Sequence, residues 1–280
     1  MRMNPMEGGT TVTYRGGYTL AEALVAIVMV SMLGVIALRL LTLAQRSSRY
    51  AVEQSAVQAT ARAAVQLVAT ETRELETGPD GADLQAIALD NMTYRAVRSA
   101  GAACAVAAGS VRLRRSLQYG YRPPSPGRDS LLLFIEQDPA TDADDRWRAF
   151  AILPGGGAGT CPDGAAALVV SVAIPADSAA LVVLDAPMRT FETTQLRLYQ
   201  SGGFSGLGVR SVSAGESTAQ PALGPLAADG LQLDFRDASG AATTLPRNVR
   251  SIGVTVLAVG ENRVRAPAGM LRPASDTLAG

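Results

Sequence analysis

From Thr19 to Leu38 the chain carries a single charge, Glu22, and the next basic residue is Arg39. Wound as a helix, twenty residues of this kind cover about 30 Å, the thickness of a bilayer core. Glu22 stands near the start of the run, where an isolated carboxylate is out of place: at a bilayer centre it costs on the order of 3 kcal/mol. A carboxylate kept in such a setting needs a partner. Everything after Arg39 is cargo on this helix.

Composition narrows the chemistry the 280-residue chain can do. It contains no His, and all of its basic residues are Arg, balanced by an equal number of acidic residues. Without His there is no Ser-His-Asp or Cys-His nucleophile pair and no imidazole ligand or base. Without Lys there is no Schiff-base chemistry and no phosphate-loop lysine. The neutral balance gives no reason to expect general nucleic-acid binding. Cys104 and Cys161 are too far apart for a zinc or redox motif.

Residues 1–17 are polar and Gly-rich, with Arg2 and Arg15 against Glu7. An ordinary secretory signal has a shorter apolar region and a small-residue cleavage site after it. Here Arg39, Arg46 and Arg49 follow the run, so from the residues alone an uncleaved signal anchor stands open. The stretch Gly17-Tyr18-Thr19-Leu20-Ala21-Glu22 resembles the class III signal of type IV prepilins and type II secretion pseudopilins. That pattern is a hydrophilic leader ending in Gly, an aromatic (usually Phe, here Tyr18), Thr-Leu-x-Glu, and an apolar run. The resemblance implies cleavage between Gly17 and Tyr18 by a membrane-embedded prepilin peptidase, and N-methylation of Tyr18. It implies that Glu22, the fifth residue of the mature chain, neutralises the amino terminus of a neighbouring subunit, since either charge alone is destabilising in an apolar bundle. It also implies a single-pass protein of the inner membrane, amino terminus cytoplasmic and head exported, that later joins a pilus or pseudopilus. Counting arginines on either side of the span does not favour that orientation; the processing signal does.

Residues 18–44 are thus read as the membrane and filament-core helix and 45–77 as its amphipathic continuation, about 90 Å in total. From Gln45 to Thr77 there is neither Pro nor Gly. Val52, Ala56, Ala59, Ala63 and Leu67 recur at helical spacing and predict the face that packs on a sheet, with Glu53, Arg62, Glu71 and Arg73 pointing mainly elsewhere. Gly78-Pro79-Asp80-Gly81 is the stop.

Residues 78–265 read as an antiparallel β-rich head, which makes the chain an α+β protein. Strands are predicted at Met92–Arg98, Val111–Leu117, Ser130–Glu136, Arg146–Leu153, Ala167–Ala173, Leu181–Leu184, Thr190–Gln200, Gly208–Val212, Leu231–Arg236 and Val249–Val259. Residues 266–280 read as a loose tail. The acidic stretch from Asp138 to Asp145 offers oxygen ligands suited to Ca²⁺ but lacks the EF-hand spacing, and reads as a solvated loop. Pro154-Gly155-Gly156-Gly157-Ala158-Gly159 lacks the dinucleotide fingerprint and reads as a flexible loop. Gly203-Phe204-Ser205-Gly206 misses the nucleophile elbow because Leu207 replaces its last Gly. No cofactor or metal site is expected. If the head is exported, a bridge between Cys104 and Cys161 is the favoured state; unpaired buried thiols are the alternative.

The segments Gln195–Tyr199, Gln220–Leu223, Leu231–Asp237 and Val249–Val254 resemble minor pilins of the PilW type and J-type pseudopilins of type II secretion, and the length of the chain favours the PilW type. The expectation is a non-enzymatic subunit that primes, caps or joins a type IV pilus. Alternatives are a minor pseudopilin of type II secretion and a ligand- or DNA-binding tip subunit.

Overall fold

The computed structural model describes residues 19–76, 83–136, 140–141 and 145–260, together with the backbone of Asp276–Ala279. The leader with Gly17 and Tyr18, the turn Gly78–Gly81 and most of the acidic stretch after Asp138 lie outside the described residues. The described chain divides into two compact units, one holding residues 19–52 and the other the remainder from Glu53 onward.

Helix α1 (Leu20–Arg73) crosses that boundary. Its start is set by Thr19, whose hydroxyl oxygen accepts from the Glu22 amide at 3.3 Å and whose carbonyl accepts from the Ala23 amide at 3.1 Å. Within the first unit the side chains from Thr19 to Arg46 are exposed on every side of the helix. The helix is long and apolar enough to cross a membrane. Its polar side chains return to their own backbone: Ser31 Oγ donates to the Ile27 carbonyl at 2.7 Å and Thr42 Oγ1 to the Arg39 carbonyl at 2.8 Å.

In the second unit the rest of α1 lies on the head, as expected, but by a different face. Val57, Ala61, Ala64 and Val68 are buried, while Val52, Ala56 and Ala59 are exposed and Ala63 and Leu67 only half-buried. Both stripes consist of Ala and aliphatic residues at the same spacing, so periodicity alone does not separate them. Nor does Glu71 point away: it is half-buried and its Oε2 accepts from the Tyr94 hydroxyl at 2.7 Å.

The head is built on a ribbon of β2 (Asn91–Ala107) and β8 (Ala186–Ser201), paired antiparallel from Asn91↔Arg197 to Ala103↔Ala186. At one end the ribbon is joined by β3 (Ser110–Arg114), β7 (Ala166–Val172), β6 (Arg146–Thr160) and β5 (Asp129–Ile135). Pairing runs β2–β3–β7–β6–β5–β8 and back to β2, so these strands close into a six-stranded antiparallel barrel. Leu113, Leu131, Leu133, Ile135, Ile152, Val172 and Met188 fill its interior. At the other end the ribbon is flanked by β1 (Leu84–Ala88) on the β2 side, and by β9 (Phe204–Ser211) then β10 (Gln220–Leu223) on the β8 side. A second sheet, β11 (Leu226–Arg236), β12 (Ser251–Ala258) and β13 (Asp276–Ala279), completes this end. Here Met92, Tyr94, Leu196, Leu207, Leu231, Leu233 and Val256 form a separate core with the α1 stripe.

Several segments depart from the sequence reading. Leu181–Leu184 is not a strand; it follows the single turn α2 (Ala176–Ala179). The Gly-rich segment is the far end of β6, not a loop. The strand bulges between Ile152 and Gly156, and Gly155 and Gly156 take φ of +112° and +104° to allow it. A Cβ on Gly156 would stand 2.2 Å from the Val169 carbonyl oxygen. Gly202 and Gly203, both at positive φ, form the two-residue turn between β8 and β9. Part of the tail read as loose, Asp276–Ala279, pairs with β12.

Candidate functional site

The first candidate site is the free end of α1. Thr19 caps the helix, which puts Glu22 at the third helical position, the place where an acidic side chain completes a capping box and faces the positive end of the helix dipole. Glu22 therefore has a local role available within one chain, besides any role between chains. Among the described residues, the apolar surface from Leu20 to Leu43 is the longest exposed apolar stretch, with Leu20, Ile27, Met29, Val30, Met32 and Leu33 each more than half exposed. Surface of this extent in water is strongly unfavourable.

The second candidate is a charged band between the two cores of the head. Along β8 every even-numbered residue from Ala186 to Leu198 is buried. The apolar ones at the ends, Ala186 and Met188, then Leu196 and Leu198, belong to the two cores. Between them Thr190, Glu192 and Thr194 face the same side. The Glu192 side chain is 2 % exposed. Its Oε2 accepts from Arg98 Nε at 2.9 Å and Arg122 Nη2 at 3.0 Å, and its Oε1 from Arg128 Nε at 2.6 Å. Arg122 also makes a two-pronged pair with buried Asp129, with Nη2 to Oδ1 at 2.6 Å, and the Ser125 amide donates to Asp129 Oδ2 at 2.7 Å. Ser99 and Thr190 hydroxyls hydrogen-bond at 2.6 Å across the ribbon. Burial pushes the Glu192 carboxyl up, but hydrogen bonds from Ser211, Arg128 and Arg98 outweigh it and hold the group at about 2. A carboxylate this acidic and this covered neither takes up a proton near neutrality nor reaches a substrate. Its role is to clamp the Pro-rich segment between β4 (Tyr119–Gly120) and β5 onto the ribbon.

A third group lies where the chain returns from α1. Buried Asp83 accepts from the Glu76 amide at 2.9 Å and faces Arg189 at 3.6 Å and Arg95 at 4.0 Å. Burial raises its pKa, against the amide and both guanidinium groups. Arg189 stacks over Trp147 and Arg95 over Phe191, each 5.0 Å from the ring centroid.

Cys104 and Cys161 are joined by a disulfide, with Cα atoms 5.6 Å apart. It fastens β2 to the turn between β6 and β7, past the end of β3. Glu22 is thus remote in sequence from every charged group of the head, and Gly17 and Tyr18 lie outside the described residues. None of Arg98, Arg122, Arg128, Asp129 and Glu192 stood out in the sequence. The one available signal was Arg122-Pro123-Pro124-Ser125-Pro126, a stiff segment flanked by arginines. Among the described residues no cluster of His, Cys, Asp and Glu is placed to hold a metal ion. Compared with family models, with curated proteins and with solved structures, the chain matches none.

Proposed function

We propose that the protein is a minor pilin-like structural subunit, processed by a prepilin peptidase and built into a type IV pilus through its α1 stem. The observation that carries this reading is the contrast along one helix. From Thr19 to Arg46 its apolar surface is exposed all round, and from Val57 to Val68 a stripe of small residues is buried on a β-rich head. That is what a stem needs if it is first held in a bilayer and then bundled with the stems of other subunits. The leader motif ending at Gly17 and the lone Glu22 fit the same reading. In this scheme the leader faces the cytoplasm, the head is exported, and Glu22 neutralises the amino terminus of Tyr18 on a neighbouring subunit.

Because Glu22 also occupies a capping position, two substitutions separate its roles. Glu22→Gln keeps the capping function of the third helical position and removes the charge, whereas Glu22→Ala removes both. If the charge pairs with a neighbour's amine, both variants are cleaved after Gly17 but are depleted in purified filaments by about tenfold or more, as expected for loss of a desolvated ion pair. Mass spectrometry of membranes and of filaments measures both quantities. Normal incorporation of Glu22→Gln would reduce Glu22 to a helix cap, and a mature protein starting elsewhere than Tyr18 would sink the processing scheme. Recovery of the wild-type protein with a secretion pseudopilus instead of a pilus would assign it to type II secretion.

A further inference from the structure

We infer that the head carries a binding site for an acidic saccharide, a sugar chain bearing carboxylates, on the outside of the barrel at β4. The inference concerns the head alone and does not rest on the filament reading. Tyr119 and Tyr121 are 72 % and 80 % exposed, the most exposed aromatic side chains among the described residues of the head. They flank Gly120, which takes a positive φ of +154° between them, and both border the same groove. The segment is fixed in place: Tyr119 pairs with Ala100 and Gly120 with Ser99, and the Tyr121 amide donates to the Arg98 carbonyl at 2.9 Å. Gly120 makes this close approach feasible, since a Cβ there would lie 2.4 Å from the Arg98 carbonyl oxygen. The next residue, Arg122, is held by Asp129 and Glu192. Two large rings are therefore presented to solvent on a hydrogen-bonded support.

Both tyrosines line one groove of about 510 Å³ together with Arg115 and Gln118. Among the described residues no carboxylate lines it. Arg114 is taken up by Asp163 and Asp185 and Arg122 by Asp129 and Glu192, but the guanidinium of Arg115 has no partner among the described residues. The Gln118 side-chain amide is likewise unpartnered there. A ring to stack on, a free planar guanidinium, an amide and phenol hydroxyls match a sugar with a carboxylate: the apolar face of the ring lies on Tyr, the carboxylate takes the two-pronged pairing Arg favours, and hydroxyls meet Gln118 and the phenols. Nucleic acid fits less well. Its affinity comes from neutralising many phosphates, and among the described residues lining this groove one guanidinium is free, in a chain of zero net charge.

The test is titration of the full chain, in a zwitterionic detergent without a sugar headgroup, with hexagalacturonate, neutral maltohexaose and a single-stranded oligothymidylate, read by calorimetry and saturation-transfer NMR. Hexagalacturonate is expected to bind at least about tenfold more tightly than maltohexaose, the difference one charged hydrogen-bonded contact supplies. Arg115→Gln and Tyr119→Ala should each weaken binding by about tenfold, with Arg115→Lys falling between. Both positions are exposed, and far-UV circular dichroism checks that the variants stay folded. No binding of hexagalacturonate, binding indifferent to both substitutions, or preference for the oligothymidylate with a steep salt dependence would each overturn the inference.

Discussion

Glu192 sits halfway along β8 with three guanidinium groups on its two oxygens, and its contribution to stability is a function of pH. Its carboxyl falls from an ordinary 4.5 to about 2 in the folded chain, so between those values the unfolded chain binds the proton more readily. Its contribution is complete above about pH 4.5 and is lost as the pH falls toward 2, a difference on the order of 3 kcal/mol. Asp83 acts in the opposite sense. Its raised pKa favours the folded state at low pH, and that contribution fades as the pH rises through the raised value. Urea unfolding of the full chain in micelles should show stability falling from about pH 5 to pH 2.5, with the fall markedly flattened in Glu192→Gln. That variant should also be less stable at pH 7 by on the order of 3 kcal/mol, since three arginines lose their counter-charge. An acid slope unchanged by the substitution would show that other carboxylates govern it. Nothing local in Thr190-Phe191-Glu192-Thr193-Thr194 announces this role. Glu192 is on the core side, and Phe191 carries Arg95 on the other face.

At the level of elements, α1 shows what periodicity can and cannot decide. The spacing of small residues after Gln45 places an Ala-rich stripe on a sheet. It does not choose between Val52-Ala56-Ala59-Ala63 and Val57-Ala61-Ala64-Val68, stripes about 100° or more apart around the helix. The structure buries the second, with Ala61 and Ala64 fully covered. Ala suits that position because a longer side chain would overpack the core that the stripe closes. Ala64→Leu should therefore destabilise the head by about 1–3 kcal/mol, whereas Ala59→Leu should change stability by less than about 0.5 kcal/mol. The comparison of the two midpoints in urea checks the face directly; equal effects would contradict the packing. The glycines of β6 teach the same lesson from the other side. Gly155-Gly156-Gly157 looks like a flexible loop because composition reports only conformational freedom. In the structure that freedom is used for one bulge inside a paired strand.

For the whole head, the disulfide and the barrel belong together. The barrel closes through β2 and β8, strands that are about ninety residues apart in sequence, so its formation carries a large loop-closure cost. Cys104–Cys161 shortens that search by tying β2 to the β6–β7 turn across a sequence separation of 57 residues. On the chain-entropy account, opening it costs about 4 kcal/mol. Non-reducing peptide mapping of the purified protein should recover the two cysteines in one linked pair, and Cys104→Ser should lower unfolding stability by roughly that amount. Two alkylatable thiols in the purified protein would contradict the bridge.

The sequence by itself determined the stem and the class of the fold. An uninterrupted apolar helix is a local property, since its hydrogen bonds join residues four apart and its lipid-scale length is read directly from the run between Thr19 and Arg39. The strands predicted at Leu231–Arg236 and Val249–Val259 likewise correspond to parts of β11 and to β12, because alternation of side chains along a strand is a local signal. Only the tertiary structure decided which stripe of α1 is buried, that the long ribbon closes into a barrel, and that Glu192 and Asp129 are enclosed by Arg98, Arg122 and Arg128. Each of these depends on contacts between residues far apart in the chain. Burial, counter-charge and closure are properties of the neighbours a residue acquires, and no window of sequence contains them.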